Sequence, residues 1–299
     1  MSLQVVLPIQ ITDAMLISST VPEADHAEWS SGDTYALGDR VMTVATHKVF
    51  ESLQATNLNH PVTDLAWWVE VSPTNRWKCF DTSNSTRTAQ ANEIQYVIKP
   101  GQSVSSLAML NIFDTTSLRV QMTDPVRGLV YSKTVYVGGV LSDSSWYSFF
   151  IADKLSLSSA VITDLPNYPS ATLTIDITGS TEMAFGVLLI GQAKEFGQGI
   201  SYGAKVGIQD YSRKETNDFG DTILVQRAYA KRASFNVQLT ALQTDIFNDW
   251  LASVRAIPCL WIGSSRYTST MIFGIYQSFD TTIQYFDYSD CSLEILGLT

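Results

Sequence analysis

The segment Thr172-Leu173-Thr174-Ile175-Asp176-Ile177-Thr178 alternates apolar and polar residues without a break. A strand turns successive side chains to opposite faces, so Leu173, Ile175 and Ile177 share one side while Thr and Asp share the other. Gly179-Ser180 supplies a turn. Ala184 to Ile190 then runs as one continuous apolar stretch, which reads as a strand buried on both faces. A one-faced strand beside a two-faced one demands layers. Val104 to Ile112 and Leu118 to Met122 are further strand candidates. Residues 83–195 are therefore expected to form a β-sandwich of jelly-roll type.

The period changes near the C-terminus. Phe235, Val237 and Leu239 still alternate, but Leu242, Ile246, Phe247, Trp250, Leu251 and Val254 recur at helical spacing. Thr240 with Gln243 three positions later forms a capping-box pattern, and Pro258 prevents continuation. Strands are expected again at Leu260-Trp261-Ile262, Met271 to Tyr276, and Cys291 to Ile295. Between the two regions, residues 196–231 are rich in glycine and charge and read as loops and hairpins. The stretch 196–299 is thus expected to be an α+β unit with one amphipathic helix, serving assembly. Its cations Arg213, Lys214, Arg227, Lys231 and Arg232 suit either acidic neighbours or ordinary solvation.

Residues 26–82 are different in kind. They hold all three histidines (His26, His47, His60) and four of the seven tryptophans, Trp29, Trp67, Trp68 and Trp77. Gly38-Asp39 is a dipeptide of the sort that joins hairpin strands. Val41 and Phe50 fall on strands either side of the next turn. A unit of only about 55 residues has little core, so a few large rings must carry it. Those rings are either buried for that purpose or left open to stack on the C–H faces of sugars. Residues 1–25 read as an N-terminal arm or first strand, and Thr82 to Thr88 as a linker or exposed loop.

Composition narrows the function. Charged residues are 16% of the chain, against a typical ~25%. So few charges favour an assembly whose surfaces are covered by neighbours. The net charge of −10 comes with no basic run, which argues against nucleic acid and against anionic membranes. No apolar stretch of about 18 residues occurs, so no membrane insertion is expected. The three cysteines, Cys79, Cys259 and Cys291, have neither disulfide-framework nor metal-ligand spacing. No metal or cofactor is expected, and synthesis in a reducing cytoplasm is the simplest reading.

Catalytic motifs are weak. Gly199-Ile200-Ser201-Tyr202-Gly203 matches a nucleophile elbow, but no histidine follows His60. Asp210, Asp218, Asp221, Asp245 and Asp249 are scattered acids that spacing alone does not pair. No catalytic residue is assigned. A polysaccharide hydrolase or depolymerase with an accessory binding module stands as the alternative to a non-enzymatic chain.

Trp29, Tyr35-x-x-Gly38-Asp39-x-Val41, Phe50, Pro61 and Trp68-x-x-Val71 stand in an order that resembles type 3 chitin-binding or cellulose-binding modules. The resemblance spans residues 26–72. It implies carbohydrate contact, with Trp29, Tyr35, Trp67, Trp68 and Trp77 as the binding rings. Those modules usually carry an Ala-Trp-Trp-type stretch after the second strand, where this chain reads Leu53-Gln54-Ala55-Thr56.

Longer runs resemble bacteriophage tail proteins that carry this module near their N-terminus. They are Trp67 to Asp81, Asp210 through Arg232, and Pro258 through Ile295. The strand pattern of the middle unit is also similar to galactose-binding jelly rolls. Together these imply a virion component: a structural subunit of tail tip, baseplate or collar. It would be a homo-oligomer in contact with other tail subunits, with host-surface glycan as a further partner.

Overall fold

The computed structural model describes residues 2–138, 157–201, 203–216, 221–264, 266–283 and 285–298. The chain is mainly β, with antiparallel sheets and, among the described residues, one α-helix. The N-terminal part contains β1 (Leu3–Pro8), β2 (Leu16–Ser19), β3 (Thr34–Tyr35), β4 (Arg40–Thr43), β5 (Lys48–Ser52), β6 (Asn57–Leu58) and β7 (Trp68–Pro73). The middle contains β8 (Thr88–Ala89), β9 (Glu93–Ile98), β10 (Ser106–Leu110), β11 (Phe113–Asp124) and β12 (Gly128–Tyr136). It continues with β13 (Ser159–Ile162), β14 (Thr172–Phe185) and β15 (Val187–Phe196). The C-terminal part contains β16 (Gly199–Ile200), β17 (Lys205–Asp210), β18 (Arg213–Thr216), β19 (Thr222–Val225) and β20 (Tyr229–Thr240). It ends with helix α1 (Ala241–Ser253), β21 (Cys259–Ile262), β22 (Met271–Thr282) and β23 (Tyr288–Gly297).

One sheet runs in the order β12-β11-β14-β9-β2, with β8 on the end of β14. Its inner rows follow the alternation of Thr172–Thr178. Ile175 lies between Val120 and Tyr96, and Ile177 between Leu118 and Ile94, all fully buried. These rows pack against Leu107, Met109, Leu188 and Ile190 of the second sheet to make the sandwich core.

The second sheet has ten strands, in the order β13-β10-β15-β1-β21-β22-β23-β20-β16, with β17 also on β20. The antiparallel sheets include a curled half-barrel. Leu188 and Ile190 face the sandwich core, while Val187 and Leu189 join Val6, Leu260 and Phe273 on the opposite face. Burial on both faces is why this stretch is apolar throughout. It is not one strand, however. Gly186 separates β14 from β15, and its N–H donates to Leu110 O at 3.0 Å.

The N-terminal segment is a structural strand. β1 pairs with β15 on one side and β21 on the other, so Leu3–Pro8 joins the sandwich to the C-terminal strands. At the far end of the sheet, α1 lies over β20 and β23. Phe247, Trp250, Leu251 and Val254 meet Phe235, Val237, Leu239 and Leu293 there. The capping box is present: Thr240 Oγ1 accepts from Gln243 N, and Gln243 Oε1 accepts from Thr240 N. Leu242 and Ile246, assigned to the buried stripe by spacing, instead face out and are exposed. Within α1 only Phe247, Trp250 and Leu251 join that apolar cluster, so the apolar stripe is wider than the contact. No described helix is long and apolar enough to cross a membrane.

Candidate functional site

The small module is two layers of short strands. β4-β5-β7 form a three-stranded sheet and β3-β6 a second pair. Val41 stands directly opposite Phe50, as the turn between them required. Gly38-Asp39 is a turn, but it joins β3 to β4, which do not pair; β3 pairs with β6. Gly38 takes φ +86°, a conformation open to glycine at little cost. Gly38 N donates to Ser52 O, and the Asp39 carboxylate accepts from Ala36 N at 2.7 Å. The dipeptide therefore makes a corner between layers.

Four of the five expected binding rings come together. Val41, Phe50 and Trp68 form the core, with Trp29, Tyr35 and Trp67 packed against it. Trp68 is 1% exposed, its edge against Tyr35 at 5.2 Å between centroids, and its Nε1 donates to His60 O at 2.9 Å. It is the core of the module and offers no face to a ligand. A unit this small has to bury its largest ring. Tyr35 is half-buried, and its hydroxyl is engaged by the backbone N–H of Ser30 at 2.8 Å. Trp29 is half-buried and ties its N–H to Met42 O.

Trp67 has a different setting. It is half-buried, with the His60 imidazole stacked on it at 3.8 Å and 10°. His60 Nδ1 lies 3.7 Å from Asp64 Oδ2, which steadies that ring in turn. The Trp67 carbonyl accepts from Leu53 N at 2.8 Å, and Gln54 Nε2 donates to Ala66 O at 2.9 Å. The loop Leu53-Gln54-Ala55-Thr56 thus lies beside Trp67. A flat ring in a fixed orientation, flanked by amide and carboxylate side chains, has the chemistry to stack on a sugar.

Trp77 is placed elsewhere. It is buried in the sandwich core, after the module's last strand β7, and stacks on His47 at 4.3 Å. As with Trp68, its position overturns its assignment as a binding ring. It follows the backbone turn at Thr74, which carries the chain from module into body.

The passage between module and body contains a polar cluster that spacing did not indicate. The Glu23 side chain is only 4% exposed. It accepts from His47 Nδ1 at 2.8 Å, Thr74 Oγ1 at 2.7 Å and Arg76 Nη1 at 3.4 Å. Arg76 Nε donates to Val21 O, and Asn75 N donates to the Asp25 carboxylate. These partners lie up to 55 residues apart, so no local motif announces them.

Among the clefts of the described residues, two border the ten-stranded sheet near the sandwich. One, of about 430 Å³, is lined by Arg87, Asn111, Tyr229, Lys231 and Phe273, with no carboxylate in its lining. The other, of about 490 Å³, is lined by Ile9, Ile11, Cys79, Asp81, Leu189 and Ile257. Burial pushes the Asp81 carboxyl up, against the hydrogen bonds from Thr86 Oγ1 and Ser83 N. Neither lining contains a pair of carboxylates. Gly199–Ile200 is an edge strand on β20 rather than a strand-to-helix turn, and Tyr202 and Asp218 lie outside the described residues.

No protein family, characterised protein or solved structure matches this chain.

Proposed function

We propose that this chain is a structural subunit of a bacteriophage tail, at the tip, baseplate or collar, whose small module touches host-surface glycan or a neighbouring virion protein. The observation that carries the reading is the set of exposed apolar side chains on β17, β19 and the start of β20. Val206, Ile208, Ile223, Leu224, Val225 and Tyr229 all lie exposed there. Large apolar side chains left exposed in such number point to an interaction surface. The low charge of the chain and its resemblance to tail proteins point the same way.

The module supplies the second half of the reading. Trp29, Tyr35 and Trp67 remain half-buried around Trp68. Of these, Trp67 has the arrangement best suited to a pyranose ring. A single such contact is weak, and repetition over many copies in one particle supplies avidity. The subunit would be made in the host cytoplasm and carried in the virion.

Two measurements test the halves separately. Antibody against the full chain should label the tails of intact purified particles, and unlabelled tails refute the virion reading. The full chain should bind chitooligosaccharide or purified bacterial surface polysaccharide, read by tryptophan fluorescence, and Trp67→Ala should abolish the response. No response at millimolar sugar refutes the glycan reading and leaves a protein partner.

A further inference from the structure

The ribbon at residues 205–232 is a locally basic element of an acidic protein. It contains six cations against four acids, a net +2, so the remainder of the chain carries −12. Arg213 pairs with Glu215, and Lys214 with Asp210. Lys205, Arg227, Lys231 and Arg232 make no ion pair among the described residues. Among the described residues β17 pairs only with β20, and β18 only with β19. Ile208 is 60% exposed and Leu224 68%. A two-stranded ribbon with open apolar residues is marginal alone in water and gains from being covered.

The complementary surface is on the same chain. Leu242, Asp245, Ile246 and Asp249 follow the spacing i, i+3, i+4, i+7 and make one stripe on the outer face of α1. Leu242 is 78% exposed and Ile246 55%. Asp245 and Asp249 are one turn apart and make no ion pair among the described residues, so an approaching cation relieves their repulsion. The chain's own ribbon does not cover this stripe, since all four residues are exposed. The ribbon pairs with the first half of β20, while α1 leaves from its last residue, Thr240.

We infer that the ribbon of one copy seats on the outer face of α1 in a second copy of this chain. The inference rests on the assembly reading above and names its partner and surfaces. The two patches do not overlap, so the contact is heterologous. It propagates head to tail and closes into a ring or extends as a filament. Apolar side chains supply the buried area, and the basic-to-acidic match sets orientation.

Analytical ultracentrifugation of the full chain tests this with two charge reversals on exposed residues, Arg227→Glu with Arg232→Glu, and Asp245→Lys with Asp249→Lys. The wild type is expected to assemble. Each double variant should lose self-association by roughly tenfold or more, with an unchanged melting profile. Mixed together they should co-assemble with the two variants alternating, because the retained surfaces match one another and the two reversed surfaces match as well. All four changes in one chain should restore assembly. Wild-type assembly that both double variants retain overturns the inference and leaves the tail reading intact. A wild type that stays monomeric overturns it as well, while particle labelling decides the tail reading independently.

Discussion

His47 and Glu23 fasten the aromatic module to the body. The imidazole donates to the carboxylate at 2.8 Å across 24 residues of sequence, while its ring lies flat on Trp77. Glu23 also holds Thr74 and Arg76, so one buried carboxylate gathers the strand entering the module and the segment leaving it. Removing one partner of such a group leaves the others desolvated and unmatched.

Glu23→Gln should therefore destabilise the protein by about 1–3 kcal/mol, measured by urea denaturation. His47 has φ +58°, a region that asparagine tolerates, so His47→Asn is the suitable partner change. The double variant should cost less than the sum of the two single changes, with a coupling of about 0.5–3 kcal/mol. Additive losses would mean the two side chains do not act together.

The adjacent tryptophans should separate cleanly. Trp68 is the buried centre of the module, and Trp68→Ala should cost about 3–5 kcal/mol and melt the module. Trp67 is half-buried and stacked on His60, so Trp67→Ala should cost clearly less and leave the fold intact. Thermal melts followed by near-ultraviolet circular dichroism give both values. Equal losses would show that Trp67 is as much core as its neighbour.

Cys79 predicts a pH dependence. Its thiol is fully buried, and burial pushes it from 9.0 up to about 12. Below pH 9 the folded and unfolded chains both hold the proton. Between pH 9 and 12 only the folded chain holds it, so stability falls with rising pH by about 1.4 kcal/mol per unit. Urea midpoints over this range should fall less steeply for Cys79→Ala than for the wild type. Parallel slopes would show that Cys79 ionises freely in the folded protein.

Gly274 faces Gly297 across β22 and β23. A Cβ at Gly274 would overlap the Leu296 carbonyl oxygen and stand 2.6 Å from Gly297 Cα. Both obstacles are backbone, so Gly274→Ala should cost about 3 kcal/mol or more. Gly207 is the control: its Cβ would meet Arg232 Nε at 3.8 Å, an ordinary contact. Gly207→Ala should stay within about 0.5 kcal/mol of the wild type, by the same urea measurement.

The parts that were legible in the sequence are those governed by neighbours in the chain. Ile175 and Ile177 landed inside because a strand's period is two, and Thr240 capped α1 because its partner is three residues away. Leu188 and Leu189 were correctly read as buried on opposite faces, whereas the break at Gly186 depends on its approach to Asn111 and could not be seen. Leu242 and Ile246 have core-like spacing, but spacing describes one face of a helix and not how much of it the sheet reaches. The rings of the module were found as a group. Which of them would be covered was decided by packing: Trp68 by Tyr35 and the strands, Trp77 by a different core altogether. The Glu23 cluster has no local signature, because its members meet only after β5 and the Thr74 turn are folded.

The position of β1 has a consequence for how the polypeptide comes off the ribosome. Gln4 stands opposite Ile262, which is made long after it in the same chain. The nascent chain must keep an apolar hexapeptide out of wrong pairings for all that time. Such long-range closure is slow, so a change at the fully buried Val5 or Val6 should slow maturation as well as weaken the finished fold.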